Sequence, residues 1–319
     1  VQLTTIASAD YARDVLPQSR SLWAQGRSHE EYVADFNAIA SSGYGKRRFR
    51  TIGLRIDGAI VVSCKRYERE VRCGERIMRA VGIGAVFTPE HLRGRGYASA
   101  LIGALLDSER AAGTELAYLF SDIHPVFYER LGFITLPSRS IRLRADALPA
   151  TRLTIATVAD GDWSGIRRCY DALDRTRPLA LRRTPLLWEW LRTAASNDRT
   201  GTRVALVVRR ARSVEGYVFG RRFPKLDTFV IDEFGYTGEH GLTTIAPLIR
   251  SAAGDLRTVS GWLPPDGARP ALPRGAVRNR KDGVTMIAPL SAPARAAWRR
   301  NASAILADDA DRCWSTDHI

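Results

Sequence analysis

The sequence predicts an α/β protein of two similar halves, each a mixed, mostly antiparallel sheet flanked by helices. Three observations carry this expectation. The chain has 319 residues, more than one typical core accommodates and a comfortable length for two. The opening Gln2-Leu3-Thr4-Thr5-Ile6-Ala7 precedes a helical stretch, and Arg152-Leu153-Thr154-Ile155-Ala156-Thr157 precedes another. Each opening reads as a short strand leading into an amphipathic helix, and the order of patterned runs that follows also repeats, which suggests a tandem duplication. Between the halves lies Leu143–Arg152, LRADALPATR, with a proline and small residues. The expected domains are therefore 1–145 and 151–319.

In the first half, Ser28 and Glu31 have the spacing of a capping box ahead of Tyr32, Phe36 and Ile39. Strand-like runs follow at Thr51–Arg55 and Ala59–Cys64, with Asp57-Gly58 as the turn between them. A third run, Ile77–Thr88, leads into a glycine-rich loop. Ala98, Leu101, Ile102 and Leu105 then recur at helical spacing, with Glu109 as the polar member of the stripe. Leu116–Phe120 reads as a buried strand. In the second half, Thr184 and Pro185 open a helix with Leu187, Trp190 and Leu191 on one face. Strand runs follow at Arg203–Val208, Gly216–Phe219 and Thr228–Phe234. A helix over Leu242–Ala253 and a strand over Thr258–Leu263 complete the repeat.

The apolar fraction, 45%, is that of an ordinary globular protein. No stretch approaches the roughly 20 apolar residues of a membrane span, and the opening residues lack the apolar core of a secretion signal. A soluble, cytoplasmic protein is expected. Cys64, Cys73, Cys169 and Cys313 form no C-x-x-C pair, so reduced packing thiols are expected and no metal site. The formal charge is +14 and rests almost wholly on arginine, since the lysines are Lys46, Lys65, Lys225 and Lys281. Such a field attracts polyanions, a phosphate-rich cofactor among them. The arginines are scattered, with no basic tail and no aromatic-basic RNA motif, so nucleic acid is not the expected partner. A homo-oligomer is compatible with the sequence.

The segment Val81–Phe133 carries the chemistry. It contains R-x-x-G-x-A at Arg93, Gly96 and Ala98, in a loop that follows a strand and opens a helix. A helix start leaves backbone N–H groups unpaired and places the positive end of the dipole there. Gly94 and Gly96 let a phosphate approach the backbone, and Arg93 and Arg95 add charged donors. Tyr97 and Ala98 complete the turn into the helix. A P-loop is excluded because its lysine is missing, and a dinucleotide fingerprint because Gly94-Arg95-Gly96-Tyr97-Ala98-Ser99 lacks the third glycine. Downstream stands Phe127-Tyr128-Glu129-Arg130-Leu131-Gly132-Phe133.

This segment resembles the GCN5-related N-acetyltransferase (GNAT) superfamily, whose acetyl-CoA loop is R/Q-x-x-G-x-G/A and many of whose members carry FYE-x-LGF. The phrases VFTP, RGRGYAS and FYERLGF are also similar to fungal lysine acetyltransferases, and the duplicated layout resembles the enhanced intracellular survival acetyltransferases. The resemblance implies tandem GNAT-like domains and acetyl-CoA as cosubstrate. It implies that Ala85, Val86 and Phe87 run beside the pantetheine arm, with Gly82 and Gly84 permitting a bulge or close approach, and that a free N–H there polarises the thioester carbonyl. It gives Tyr128 the role of general acid toward the leaving thiolate. Asp122 and His124, just before the Tyr128 helix, are candidate bases, although a helix cap and a loop position are the plainer readings of these two.

The second half departs from the pattern. Its counterpart loop, Gly235–Leu242, lacks the arginines, so it is expected to be a degenerate copy that shapes the acceptor pocket. Trp188 and Trp190 could pack against the first half or line that pocket. Asp232 and Glu233 could face a cationic acceptor, ion pairing being the simpler reading. The expected function is acetyl transfer to a primary amine of a small molecule such as an aminoglycoside, lysine or polyamine. Protein or peptide N-acetylation and a non-catalytic CoA-binding regulator are the alternatives.

Overall fold

The computed structural model describes residues 2–150, 153–197, 201–211, 213–307 and 310–319; Thr151 and Arg152, where the second repeat is expected to open, lie outside these. The first half begins with β1 (Leu3–Ile6) and four helices, α1 (Ser8–Asp14), α2 (Leu16–Trp23), α3 (His29–Ser41) and α4 (Gly43–Arg48). A meander follows, β2 (Phe49–Ile56), β3 (Ala59–Cys73) and β4 (Arg76–Phe87). Then come α5 (Tyr97–Ala111), β5 (Leu116–Ser121), α6 (Val126–Glu129), β6 (Ile134–Thr135) and β7 (Arg139–Arg144). The second half runs β8 (Ile155–Thr157), α7 (Trp163–Asp174), β9 (Leu179–Arg182), α8 (Pro185–Asn197), β10 (Thr202–Arg210), β11 (Ser213–Phe223), β12 (Thr228–Tyr236) and α9 (Gly238–Ala253). It ends with β13 (Thr258–Trp262), β14 (Ala276–Asn279), β15 (Val284–Pro289) and α10 (Ala292–Ile305). No helix among the described residues is long and apolar enough to cross a membrane.

Local chemistry explains the elements read from sequence. The Ser28 hydroxyl accepts from Glu31 N–H at 3.1 Å while Ser28 N–H donates to the Glu31 carboxylate at 3.0 Å, the reciprocal cap that starts α3. Asp57 and Gly58 both take positive φ, as the tight β2–β3 turn requires. In α5, Leu101, Ile102, Leu105 and Leu106 are buried against the sheet. Glu109 on the same stripe is buried too, and Arg66 of β3 neutralises it at 2.7 Å.

The long-range pairing was not legible. The first sheet is ordered β1-β2-β3-β4-β5-β15-β6, with β9 also on β3, and the second β14-β7-β13-β12-β11-β10-β8. Each sheet thus takes strands from the other side of the sequence midpoint. β15 enters between β5 and β6, pairing Val284 with Ser121 through Pro289 with Leu116. β7 leaves the first half and pairs antiparallel with β13 and β14. Five of the six β15 residues are buried, as a strand covered on both faces must be. β4 and β5 are parallel neighbours, as are β12 and β13, which supports the duplication.

Helices α1–α4 cover one face of the first sheet, packing Tyr11, Tyr32, Phe36, Tyr44 and Phe49 together. Helix α5 covers the other. Trp190 of α8 crosses to the first half, with its ring 5.4 Å from that of Tyr44 and 5.9 Å from that of Tyr67, whereas Trp188 packs on Tyr170 in the second core. All four cysteines are buried and unbridged.

The exchange of strands has a direct consequence. A fragment ending at Ala150 keeps β5 and β6 but lacks β15, so β5 becomes an exposed apolar edge. Such a fragment is expected to lose its near-UV circular dichroism signal and its cooperative thermal transition. A fragment that melts cooperatively at the temperature of the full chain would contradict this.

Candidate functional site

The site begins where two strands part. The parallel pairing of β4 with β5 runs from Ala80↔Leu116 to Ile83↔Leu119 and stops there. On its other side β4 slips register against β3 between Ser63↔Phe87 and Lys65↔Gly84, which inserts one extra residue. Ala85 absorbs the bulge with φ +46°, a left-handed conformation uncommon for a residue with a Cβ. The backbone of Ala85 and Val86, between the paired Gly84 and Phe87, therefore steps out of the β3 ladder, beside a slot with Phe120 and Ser121 on its far wall. Phe87 contributes main chain only, because its side chain is buried among α1–α4 with Trp23 at 6.1 Å. Ala85 and Val86 are half-buried at the slot.

The loop beyond β4 has the features of an anion cradle. Gly94 and Gly96 take φ +77° and +79°, and Gly96 is the N-cap of α5, where no side chain satisfies the first N–H groups. Arg93 through Gly96 are exposed, and Tyr97 and Ala98 begin the first turn. Arg93 Nε donates to the Thr88 carbonyl at 3.3 Å and an Arg95 guanidinium nitrogen to the His91 carbonyl at 3.4 Å, which leaves further donors on both. The chemistry of this donor set fits a pyrophosphate: a fifteen-residue helix dipole, uncapped N–H groups and two guanidiniums.

Tyr128 stands in α6 because the FYERLGF sequence ends that helix abruptly. Gly132 N–H donates to the Glu129 carbonyl at 3.0 Å and Phe133 N–H to the Tyr128 carbonyl at 3.1 Å, with Gly132 at φ +89°. This is the Schellman pairing, and the Phe133 ring packs back on Tyr128 at 5.9 Å. The Tyr128 ring is buried on the α5 face with Cys64 and Leu119. Burial, with smaller contributions from Cys64 and Asp122, pushes its phenol up to about 12. The hydroxyl makes no hydrogen bond among the described residues and stays protonated throughout the physiological range.

The structure separates the two candidate bases. His124 is exposed in the loop before α6, and its Nδ1 accepts from Val126 N–H at 3.4 Å. Asp122, half-exposed at the end of β5, accepts from Gly283 N–H at 2.8 Å and lies 4.0 Å from His318 Nε2. Sequence reasoning missed His318, which stands at the far end of the chain in no motif; the tail that carries it reaches the first sheet only through tertiary contacts.

That tail is held by a buried ionic network. Arg183 donates to Glu233 at 2.6 Å and to Asp317 at 2.7 Å, Tyr217 donates to Glu233 at 2.5 Å, and the Thr316 hydroxyl donates to Glu233 as well. Glu233 is fully buried, and Arg221 lies 2.7 Å from Asp232. Both acids are thus ion-paired with arginines, the simpler of the two readings the sequence offered, and both stand in the wall of the cleft beside the tail. The network leads residues 315–319 across the junction between the halves, and Ile319 comes to rest on β4. A Cβ placed on Gly84 would lie 2.8 Å from the Ile319 oxygen, so only glycine admits this approach. Alongside the tail lies a cleft of about 200 Å³ lined by Trp163, Trp188, Trp190, Phe219, Thr316 and His318 among others.

With this geometry in view, the chain can be set beside known proteins. Residues 7–135 match the family model described as an acetyltransferase (GNAT) domain. The first half is thus similar to a GNAT domain over that stretch. A lysine acetyltransferase of Yarrowia lipolytica (strain CLIB 122 / E 150) is 30% identical over 160 residues, covering 42% of this chain and 41% of that one. The match therefore spans less than half of that relative's length. Among solved structures, a probable N-acyltransferase from Enterococcus faecalis V583 superposes with a TM-score of 0.73 at 17% identity, covering 92% of this chain and 73% of that one. Eis1 from Mycobacterium abscessus does so with 0.62 at 15% identity, covering 91% and 74%. At such identities the likeness concerns the fold alone, and it spans both halves.

The GNAT loop is open to a direct test. Replacing Arg93 and Arg95 with alanine removes two charged donors, each worth about 1.5–3 kcal/mol when well ordered. Both side chains are exposed, so folding should be unaffected and the binding effect should lie toward the lower end of that range. Calorimetry is expected to show acetyl-CoA affinity falling at least tenfold in the double variant, with an unchanged melting temperature.

Proposed function

We propose that this protein is an acetyl-CoA-dependent N-acetyltransferase acting on a primary amine, with its cosubstrate held by the first half and its acceptor cleft at the junction. The observation that carries this reading is the parting of β4 from β5 beside an uncapped helix start. The slot accepts an extended pantetheine as an added strand, and the Arg93–Ala98 loop at its mouth holds the phosphates. Main-chain N–H groups at the Ala85 bulge polarise the thioester carbonyl as negative charge develops on it. Tyr128, protonated and on the α5 face, donates its proton to the leaving thiolate.

Among the described residues of the second half there is no comparable loop. Its α9 begins at Gly238 with no basic side chain in the loop, and the acids of β12 are tied up in ion pairs. It therefore builds the acceptor side. A tryptophan-lined cleft of about 200 Å³ favours an amine of side-chain size over a large polycation. Free lysine is the first acceptor to try, and the relative named as a lysine acetyltransferase supports that choice. A lysine side chain presented on a peptide is the second reading, because the cleft suits the same group.

Two measurements test this. Titration with acetyl-CoA should give one site per chain. Tyr128→Phe keeps the ring and removes the proton, so turnover should fall by about 10²–10⁴ with acetyl-CoA affinity unchanged. Tight binding by the wild-type protein without turnover of any amine would instead support a CoA-responsive regulator.

A further inference from the structure

Resting on that reading, we propose that His318 is the general base that takes the proton from the acceptor amine, and that Asp122 is its positioning residue. The geometry places His318 where the acceptor cleft meets the cosubstrate slot. Its ring lies 5.2 Å from the ring of Phe120, the first β5 residue beyond the last pair with β4. Its neighbour Ile319 lies against Gly84, on the opposite arm of the same slot. Residues 318 and 319 therefore straddle the slot mouth, and His318 also lines the tryptophan cleft.

The faces of the sheet agree with this division. Tyr128, Ala117 and Leu119 belong to the face covered by α5, the helix whose start holds the phosphates. Tyr118, Phe120 and Ile319 belong to the opposite face. The acid thus lies on the cosubstrate side and the imidazole on the side from which an amine arrives. His318 Nε2 faces Asp122 at 4.0 Å, a gap that one bridging water spans, and Nδ1 makes no hydrogen bond among the described residues. Trp262 closes the other flank of the imidazole, at 6.0 Å between rings.

The charged groups around His318 set its proton affinity. Burial lowers it below the ordinary imidazole value, Arg280 lowers it further, and Asp122 opposes both. Glu233, across the cleft, is neutralised by Arg183. The imidazole is therefore neutral at physiological pH and able to accept a proton. In the step itself the amine nitrogen bonds to the acyl carbon and the carbon–sulfur bond breaks. The proton lost by the nitrogen goes to His318 Nδ1, and the thiolate receives the proton of Tyr128. Asp122 holds the resulting imidazolium.

The test uses the full chain, acetyl-CoA and a panel of L-lysine, spermidine, kanamycin and an N-acetylated lysine peptide, with thiol release as the assay. His318→Gln should lower kcat about 10²–10⁴-fold and abolish the ascending limb of the kcat–pH profile, while calorimetric acetyl-CoA affinity stays within twofold. Asp122→Asn should leave that limb in place but move it to lower pH, since the charge that raises the imidazole is gone. The His318 ring titration followed by NMR should move in the same direction, a shift that a purely structural role for Asp122 would not produce. His318→Gln with wild-type kcat and an intact limb would overturn the base. Wild-type protein that binds acetyl-CoA yet turns over none of the four amines would overturn the transferase reading, and the base with it.

Discussion

Two parallel strands, β4 and β5, stop pairing after Ile83 and Leu119, and most of what makes a site in this protein depends on holding them apart. Unpaired backbone in a sheet is normally a liability, because each N–H and C=O seeks a partner. Here the parting is enforced from both sides. On one side the register slip against β3 pushes Ala85 into a left-handed conformation, a strain on the order of 1–3 kcal/mol that the rest of the sheet must sustain. On the other, β15 pairs with β5 over its full length along the edge that faces away from β4, and so holds β5 in place while its β4-facing edge is open beyond Leu119.

The same strand couples the two halves. β15 is contributed from the far end of the sequence and β7 is given in return, so neither sheet is complete without residues from beyond the midpoint. What began as a repeat has become one folding unit at the level of its sheets. The segment after α10 then continues into the junction, where the Arg183–Glu233–Asp317 network anchors it. Charges this deeply buried require mutual compensation, because removing one partner leaves the others without solvent. The cost of burying them is offset by a defined path for the tail, which ends against Gly84.

The two halves differ at their counterpart loops. The first half has a helix start without a side-chain cap next to Arg93 and Arg95, and a buried Tyr128. The second half has no arginine in its counterpart loop, Gly235–Leu242, and its β12 acids Asp232 and Glu233 are ion-paired with arginines. Its aromatic residues, Trp163, Trp188 and Phe219, instead form a wall. The repeated strand order of the two halves fits duplication of one scaffold, and the tryptophan-lined cleft lies alongside the tail that crosses between them.

Much of the first half was legible in the sequence because its signals are local. Capping at Ser28, the turn at Asp57-Gly58, the α5 stripe and the FYERLGF helix end each lie within one turn or one hairpin, where spacing alone determines the hydrogen bonds. The Arg93–Ala98 loop belongs with them, since glycine positions and a helix start make an anion cradle without reference to the rest of the chain. The placement of β7 and β15, the pairing of Asp232 and Glu233 with arginines, and the meeting of Asp122 with His318 were decided only by tertiary structure. Strand partners distant in sequence leave no periodic trace in either strand, and a buried acid reads the same as an exposed one until its partner is placed. His318 carries no motif of its own; only the ion-paired tail brings it to the slot that the local signals had already marked.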